Sequence, residues 1–166
     1  VEVPRTIDSD RLGLPLWIGV IGIIAEEARA ETPSEQLGHL IAANDIDLGR
    51  IAYEAFRAQL ADTHAFAIVA PAADVPNLRL SIFDAGLGRP VGGWDQLKPT
   101  VSLLGSLTRA DGTVLWRKAD YVSTSNSQTP AFTYDQYVND PENLRLAFRR
   151  ATDLVTGMLV ADLCRP

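Results

Sequence analysis

The stretch from Pro99 to Ser123 constrains the fold more than any other part of this chain. It carries an Asp111-Gly112 pair flanked on both sides by apolar, β-branched and aromatic residues. That pattern is a strong local signal for a β-hairpin, because the turn needs a residue that takes positive φ without steric cost. With Ala110-Asp111-Gly112 as the loop, Val101, Leu103, Leu107, Leu115, Ala119 and Tyr121 are expected to share one face. Ser102, Ser106, Thr108, Lys118 and Asp120 then share the other. Arg117 is the misfit, since it lands opposite Gly105 on the nominal core face; it is expected near the hairpin edge with its head reaching water.

A hairpin this long needs a layer to cover its apolar face, and two amphipathic helices supply one. Asn44-Asp-Ile-Asp47 reads as an N-terminal capping sequence. After it, Leu48, Ile51, Ala52, Ala55, Phe56 and Leu60 recur on one helical face as far as Asp62. Further on, Asp140 as N-cap, Pro141 in first position and Glu142 in the first turn announce a second helix. Its expected stripe is Leu144, Ala147, Phe148, Ala151, Leu154, Val155, Met158 and Leu159. Leu16 to Ile24, apolar on both faces, reads as a central strand, and a short helical turn is expected near Ser34 to Ile41. Ala65 to Ala70 reads as a short strand stopped by Pro71. Asn77 to Ala85 alternates like a half-exposed strand. The order β-α-β-β-β-β-α fits an α+β, two-layer sandwich, with two main helices on one face of a mixed, largely antiparallel sheet. At 166 residues, 46% of them hydrophobic, one domain is expected: an extended arm over 1–14 and a globular core over 15–163.

The formal charge of −6 argues against a nucleic-acid footprint, which needs a basic face. Arg145, Arg149 and Arg150 read as the solvated face of a helix. The one cysteine, Cys164, cannot form an internal disulfide or build a cysteine metal site, and reads as a bystander at a helix end. No run approaches the roughly 20 apolar residues that span a bilayer. Val1-Glu-Val-Pro-Arg also lacks the basic and apolar regions of a secretory signal.

No spacing of reactive side chains forces a reaction. Gly86 to Gly93 superficially resembles a phosphate-cradling loop, but the Lys-Ser/Thr ending is missing, so it reads as a strand connection. His39 and His64 are isolated, which disfavours a multi-histidine metal site. Glu26-Glu27 and the pair Asp45 and Asp47 have the composition of acid/base or hard-cation groups, and read more simply as solvated residues and a helix start. No catalytic residue, cofactor site or metal site is expected. The segment Phe132-Thr-Tyr-Asp-Gln-Tyr137 follows a polar loop, and its rings suit a contact surface. Phe132, Tyr134, Tyr137 and Trp94 are therefore the candidate partner-binding residues. The competing reading folds these rings back to cover the sheet or staple the next helix.

The hairpin with Arg109-Ala-Asp-Gly-Thr-Val-Leu-Trp116, the polar loop after it and the closing helix ending Leu159-Val-Ala-Asp-Leu163 together resemble small bacterial envelope lipoproteins. Among these are proteins similar to the amino-terminal domain of the TolB translocation protein, to curli-secretion lipoproteins and to penicillin-binding-protein activator lipoproteins. The sequence departs from them in lacking the lipidated cysteine expected just after a signal, so a lipid anchor would lie upstream of Val1. The resemblance implies a non-catalytic binding or assembly role in the periplasm or at the outer membrane, with another envelope protein as partner and room for a homo-oligomer. The alternative is a small-ligand-binding protein or enzyme built on Gly86 to Gly93 with Asp84, Arg89 or Asp95.

Overall fold

The structure, a computed structural model, describes residues 2–4, 33–69, 75–93 and 95–165. The expected strand at Leu16 to Ile24, the Glu26-Glu27 pair and Trp94 lie outside the described residues. The elements are β1 (Glu2–Pro4), α1 (Pro33–Ala43), α2 (Leu48–Asp62), β2 (Ala67–Val69), β3 (Asn77–Gly88), β4 (Gln96–Thr108), β5 (Val114–Val122), β6 (Phe132–Thr133), α3 (Tyr134–Asn139) and α4 (Pro141–Leu163). A four-stranded antiparallel sheet in the order β3-β4-β5, with β6 pairing β4, carries the helices on one face. The fold is α+β, as the helix and strand periodicities require. Part of the expected N-terminal arm is itself paired, β1 running parallel to β2.

The helix starts follow their capping chemistry. Asp47 accepts the Arg50 N–H at 2.8 Å to open α2, and Asp140 accepts the Glu142 N–H at 3.1 Å with Pro141 next in line. Each cap satisfies a backbone donor that has no partner inside its helix. From α4, Leu144, Ala147, Phe148, Ala151, Val155 and Leu159 are fully buried. They meet Ala52, Phe56 and Leu60 of α2 and Val101, Leu103 and Val122 of the sheet in one continuous core. The buried stripe is rotated slightly from the expected one: Thr152 and Thr156 are inside, and Met158 is exposed. The threonines fit because a hydroxyl can bond back along its own helix. Thr156 donates to the Thr152 carbonyl at 2.8 Å. Gln59 of α2 donates to the Asp153 carbonyl at 2.9 Å and so ties the two helices together.

Two β-bulges set which residues face the helices. Between β3 and β4 the register runs Ile82↔Leu103 and then Asp84↔Ser102, so Phe83 is the extra residue. Between β4 and β5 it runs Leu107↔Trp116 and then Thr108↔Val114, so Leu115 is extra. A one-residue shift exchanges the faces of a strand. The Leu115 bulge therefore corrects the expected facing of β5: Trp116, Lys118, Asp120 and Val122 lie on the helix side, and Ala119 and Tyr121 lie on the other. Lys118, not Arg117, stands opposite Gly105. Arg117 pairs with Ser106 on the outer face, which removes the misfit. The turn itself forms as read, with Gly112 at φ 87° and Asp111 accepting the Thr113 N–H at 2.9 Å. Those hydrogen bonds hold the Asp111 carboxyl below its ordinary range.

On the helix side, the Trp116 ring lies over Gly105, where an added Cβ would come within 2.4 Å of the ring. Its indole N–H donates to the Asp162 carboxylate at 3.1 Å. Lys118 and Arg165 approach the same carboxylate at 3.9 and 3.7 Å. A single side chain in the last turn of α4 thus pins the far strand of the hairpin.

Candidate functional site

The segment Phe132 to Tyr137 is not a loop. Phe132 and Thr133 form β6 against Leu97 and Gln96, and Tyr134–Asn139 form α3. Thr133 and Gln136 make a reciprocal capping box, the Thr133 hydroxyl accepting the Gln136 N–H and the Gln136 carbonyl oxygen accepting the Thr133 N–H. The Thr133-x-x-Gln136 spacing is itself a helix-start signal, one that aromatic composition alone does not register. Tyr137 is 0% exposed, donates its hydroxyl to the Leu97 carbonyl at 3.1 Å and meets the edge of Phe132 with centroids 5.4 Å apart. Burial pushes its phenol well above the ordinary range. Phe132 is half-buried against the core, and Tyr134 is exposed. The structure thus puts Tyr137 and Phe132 in a staple between sheet and helix and leaves Tyr134 on the surface.

The Gly86 to Gly93 stretch is likewise accounted for by the backbone. Gly86, Leu87 and Gly88 belong to β3, correcting the expected strand end at Ala85. A Cβ on Gly88 would meet Thr124 at 2.7 Å. A tight turn follows, with Gly93 donating to the Pro90 carbonyl at 3.0 Å and Gly92 at φ 80°. Close packing at Gly88 and turn geometry at Gly92 and Gly93 account for those glycines without an anion. Asp45, at φ 51°, and Asp47 belong to the entry of α2, and His64, at φ 54°, sits just past its end. Cys164 is the C-cap of α4 and packs against the core. Arg145 is half-buried, correcting the expectation of a wholly solvated arginine row: it donates to the Asn44 carbonyl and pairs with Glu142.

A surface that the sequence reading passed over emerges from the register. Residues directly opposite in an antiparallel sheet share a face. On the face turned away from the helices this gives three successive rungs: Arg79–Ser106–Arg117, Ser81–Leu104–Ala119 and Asp84–Ser102–Tyr121. Tyr121 is 65% exposed, and Phe83, left unpaired by the bulge beside Asp84, is 57% exposed. Arg79, Arg117, Ser81 and Ala119 are exposed too. Two strand spacings separate β3 from β5, so the backbone positions at the ends of the last rung, Tyr121 and the Asp84 beside which Phe83 bulges, stand about 10 Å apart across a floor of Ser102 and Leu104. Asp84 is partly withdrawn from water, which holds its carboxyl above the ordinary range. The face therefore offers two arginines, a shallow floor of small and aliphatic residues, and two aromatic side chains. Regular alternation along β3 already sets Phe83 outward with Arg79 and Ser81; the bulges add Asp84 and Tyr121 to that face, which alternation alone would have turned inward.

Among the described residues no group of three or more His, Cys, Asp or Glu side chains converges on a metal-sized site. No helix of the described residues is long and apolar enough to cross a membrane. No protein-family model matches the chain, and no curated protein matches it. Solved structures do show similarity. A "putative lipoprotein" from Caulobacter crescentus CB15 is similar at a TM-score of 0.46 and 17% identity, over 70% of this chain and 80% of that one. A Xanthomonas campestris protein of the family DUF330 is similar at a TM-score of 0.36 and 20% identity, over 60% of this chain and 49% of that one. Neither is described as a TolB-domain or curli-secretion protein, and the likeness is too loose to carry a function across.

Proposed function

We propose that this chain is a non-catalytic binding domain of the bacterial cell envelope that docks another envelope protein on the helix-free face of its sheet. The observation that carries this reading is the grouping of Phe83 and Tyr121, both more than half exposed, with Arg79 and Arg117 around a floor of small and aliphatic residues. Exposed aromatic and arginine side chains are what protein interfaces favour, and a rigid sheet presents them at little entropic cost. The sequence resemblance to envelope lipoproteins supports the compartment. The partner that fits has an apolar side chain for the floor and carboxylates for the two arginines.

The test is crosslinked affinity capture from the native envelope, using the folded chain and its Arg79→Glu/Phe83→Ser variant. Both positions are exposed on β3, so the variant is expected to keep its fold while losing a partner that the parent captures. A partner retained by the variant, or no partner at all for a correctly folded parent, overturns the reading.

A further inference from the structure

We propose that β5 is a self-complementary edge through which two copies of this chain pair in antiparallel fashion, joining their sheets across a twofold axis. The inference is argued from the strand edge and not from the docking reading, although Arg117 and Tyr121 of β5 belong to both surfaces. Among the described residues the nine-residue β5 pairs only with β4, and no described strand lies along its second edge. The hydrogen-bond phase of that edge can be read from the turn. Arg109 N–H donates to the Thr113 carbonyl at 2.9 Å, and the ladder alternates from there through the Leu115 bulge. The backbone groups of Arg117, Ala119 and Tyr121 consequently point to the open edge. The Tyr121 N–H agrees, since it takes its own neighbour, the Asp120 carboxylate at 3.0 Å, instead of β4.

Side-chain chemistry favours the register centred on Ala119. Paired about Ala119, the two strands place Lys118 opposite Asp120 of the second copy, Arg117 opposite Tyr121, and Trp116 opposite Val122, each contact made twice. Lys118 and Asp120 lie on the helix side, so opposite charges meet there. On the outer side the arginine meets an aromatic face. Shifting the twofold to Lys118, to Arg117 or to Asp120 instead sets two like charges directly against each other, which is destabilising. Ala119 itself is exposed, and being small it lets the strands approach at the axis. A contact that is complementary to itself closes as a dimer and leaves no further edge of the same kind. The interface competes with groups already engaged, because Lys118 leans on Asp162 and Asp120 on Tyr121, so it forms as a concentration- and salt-dependent dimer.

Sedimentation of the full chain across a concentration series tests the proposal, with a parallel series at high salt. The parent is expected to pass from monomer to dimer with rising concentration, and to do so less readily in high salt. Ala119→Pro removes the central donor of the open edge at a position where an edge strand tolerates proline, and it is expected to remain monomeric with an unchanged circular-dichroism spectrum. Ala119→Cys in a Cys164→Ser background is expected to oxidise to a covalent dimer, since facing residues in this register fall within disulfide reach. Arg117→Cys in the same background is expected not to. A parent that stays monomeric at every concentration overturns the proposal. So does a dimer that survives Ala119→Pro, or crosslinking at 117 as readily as at 119. The Arg79→Glu/Phe83→Ser variant, altered on the far strand, is expected to dimerise like the parent, so loss of partner capture and loss of self-pairing are read separately.

Discussion

Replacing Tyr137 decides whether the aromatic segment before α4 is a contact surface or a structural staple. The side chain is fully buried, bonded to the Leu97 carbonyl and edge-on to Phe132. A buried aromatic ring removes about 150–250 Å² from water, worth about 4–6 kcal/mol at 25 cal/mol per Å². Part of the cavity left by Tyr137→Ala relaxes, so the expected loss is about 3–5 kcal/mol, in line with other aromatic truncations. Against a total stability of about 5–15 kcal/mol, that loss takes the chain close to unfolding. Tyr137→Phe keeps the ring and strands only the Leu97 carbonyl, a cost of about 1–2 kcal/mol. For a chain of this length each kcal/mol moves the melting temperature by about 2–4 °C. The phenylalanine variant should therefore melt about 2–8 °C below the parent, and the alanine variant well below that. Urea denaturation of both, followed by circular dichroism, measures the two differences. An alanine variant as stable as the parent would refute the staple and return Tyr137 to the surface.

Two further substitutions probe the sheet and the last helix. Gly105→Ala drives a methyl group into the Trp116 ring, whose indole is held by Asp162, so the ring must swing out. The expected cost is about 1–3 kcal/mol, with a displaced indole N–H resonance, and a melt within about 0.5 kcal/mol of the parent would show that the ring is not packed there. Burial raises the Asp153 carboxyl above its ordinary range, against the lowering influence of Arg150 and Arg149. The folded chain thus binds that proton more readily than the unfolded one, and the associated stability, full in acid, is lost as pH rises through the raised value. Asp153→Asn is expected to melt higher than the parent at neutral pH, with the gain vanishing below the ordinary carboxylate range; a gain independent of pH would point to another cause.

Much of the fold was legible because local chemistry and tertiary structure agree in it. Asp47, Asp140, Pro141 and Gly112 all do in the structure what their side chains or backbone freedom favour in isolation. What escaped was set by pairing between strands. Nothing around Leu115 distinguishes a bulge from regular alternation, yet that one residue decides whether Tyr121 or Val122 is in the core. The bulge at Phe83 likewise decides whether Asp84 or Ala85 turns outward, so periodicity places Arg79, Ser81 and Phe83 on the outer face but cannot bring Tyr121 to them. Thr152 and Thr156 escape a hydropathy pattern for the opposite reason. Hydropathy treats them as polar, but Thr156 satisfies its hydroxyl within its own helix and packs its methyl group inward like an aliphatic residue.

Because Phe83 and Leu115 are each the surplus member of a two-against-one pairing, they mark places where chain length can vary without disturbing the interior. Deleting Phe83 would join Ile82 and Asp84 in an uninterrupted ladder, with Ile82 still inward and Asp84 still outward. Deleting Leu115 would do the same for Val114 and Trp116. A lineage carrying this scaffold can therefore lose or regain an exposed hydrophobic side chain by a single codon deletion or insertion. Its outer surface can change through gap events while its core sequence stays aligned, and alignments that penalise gaps inside strands would obscure that history.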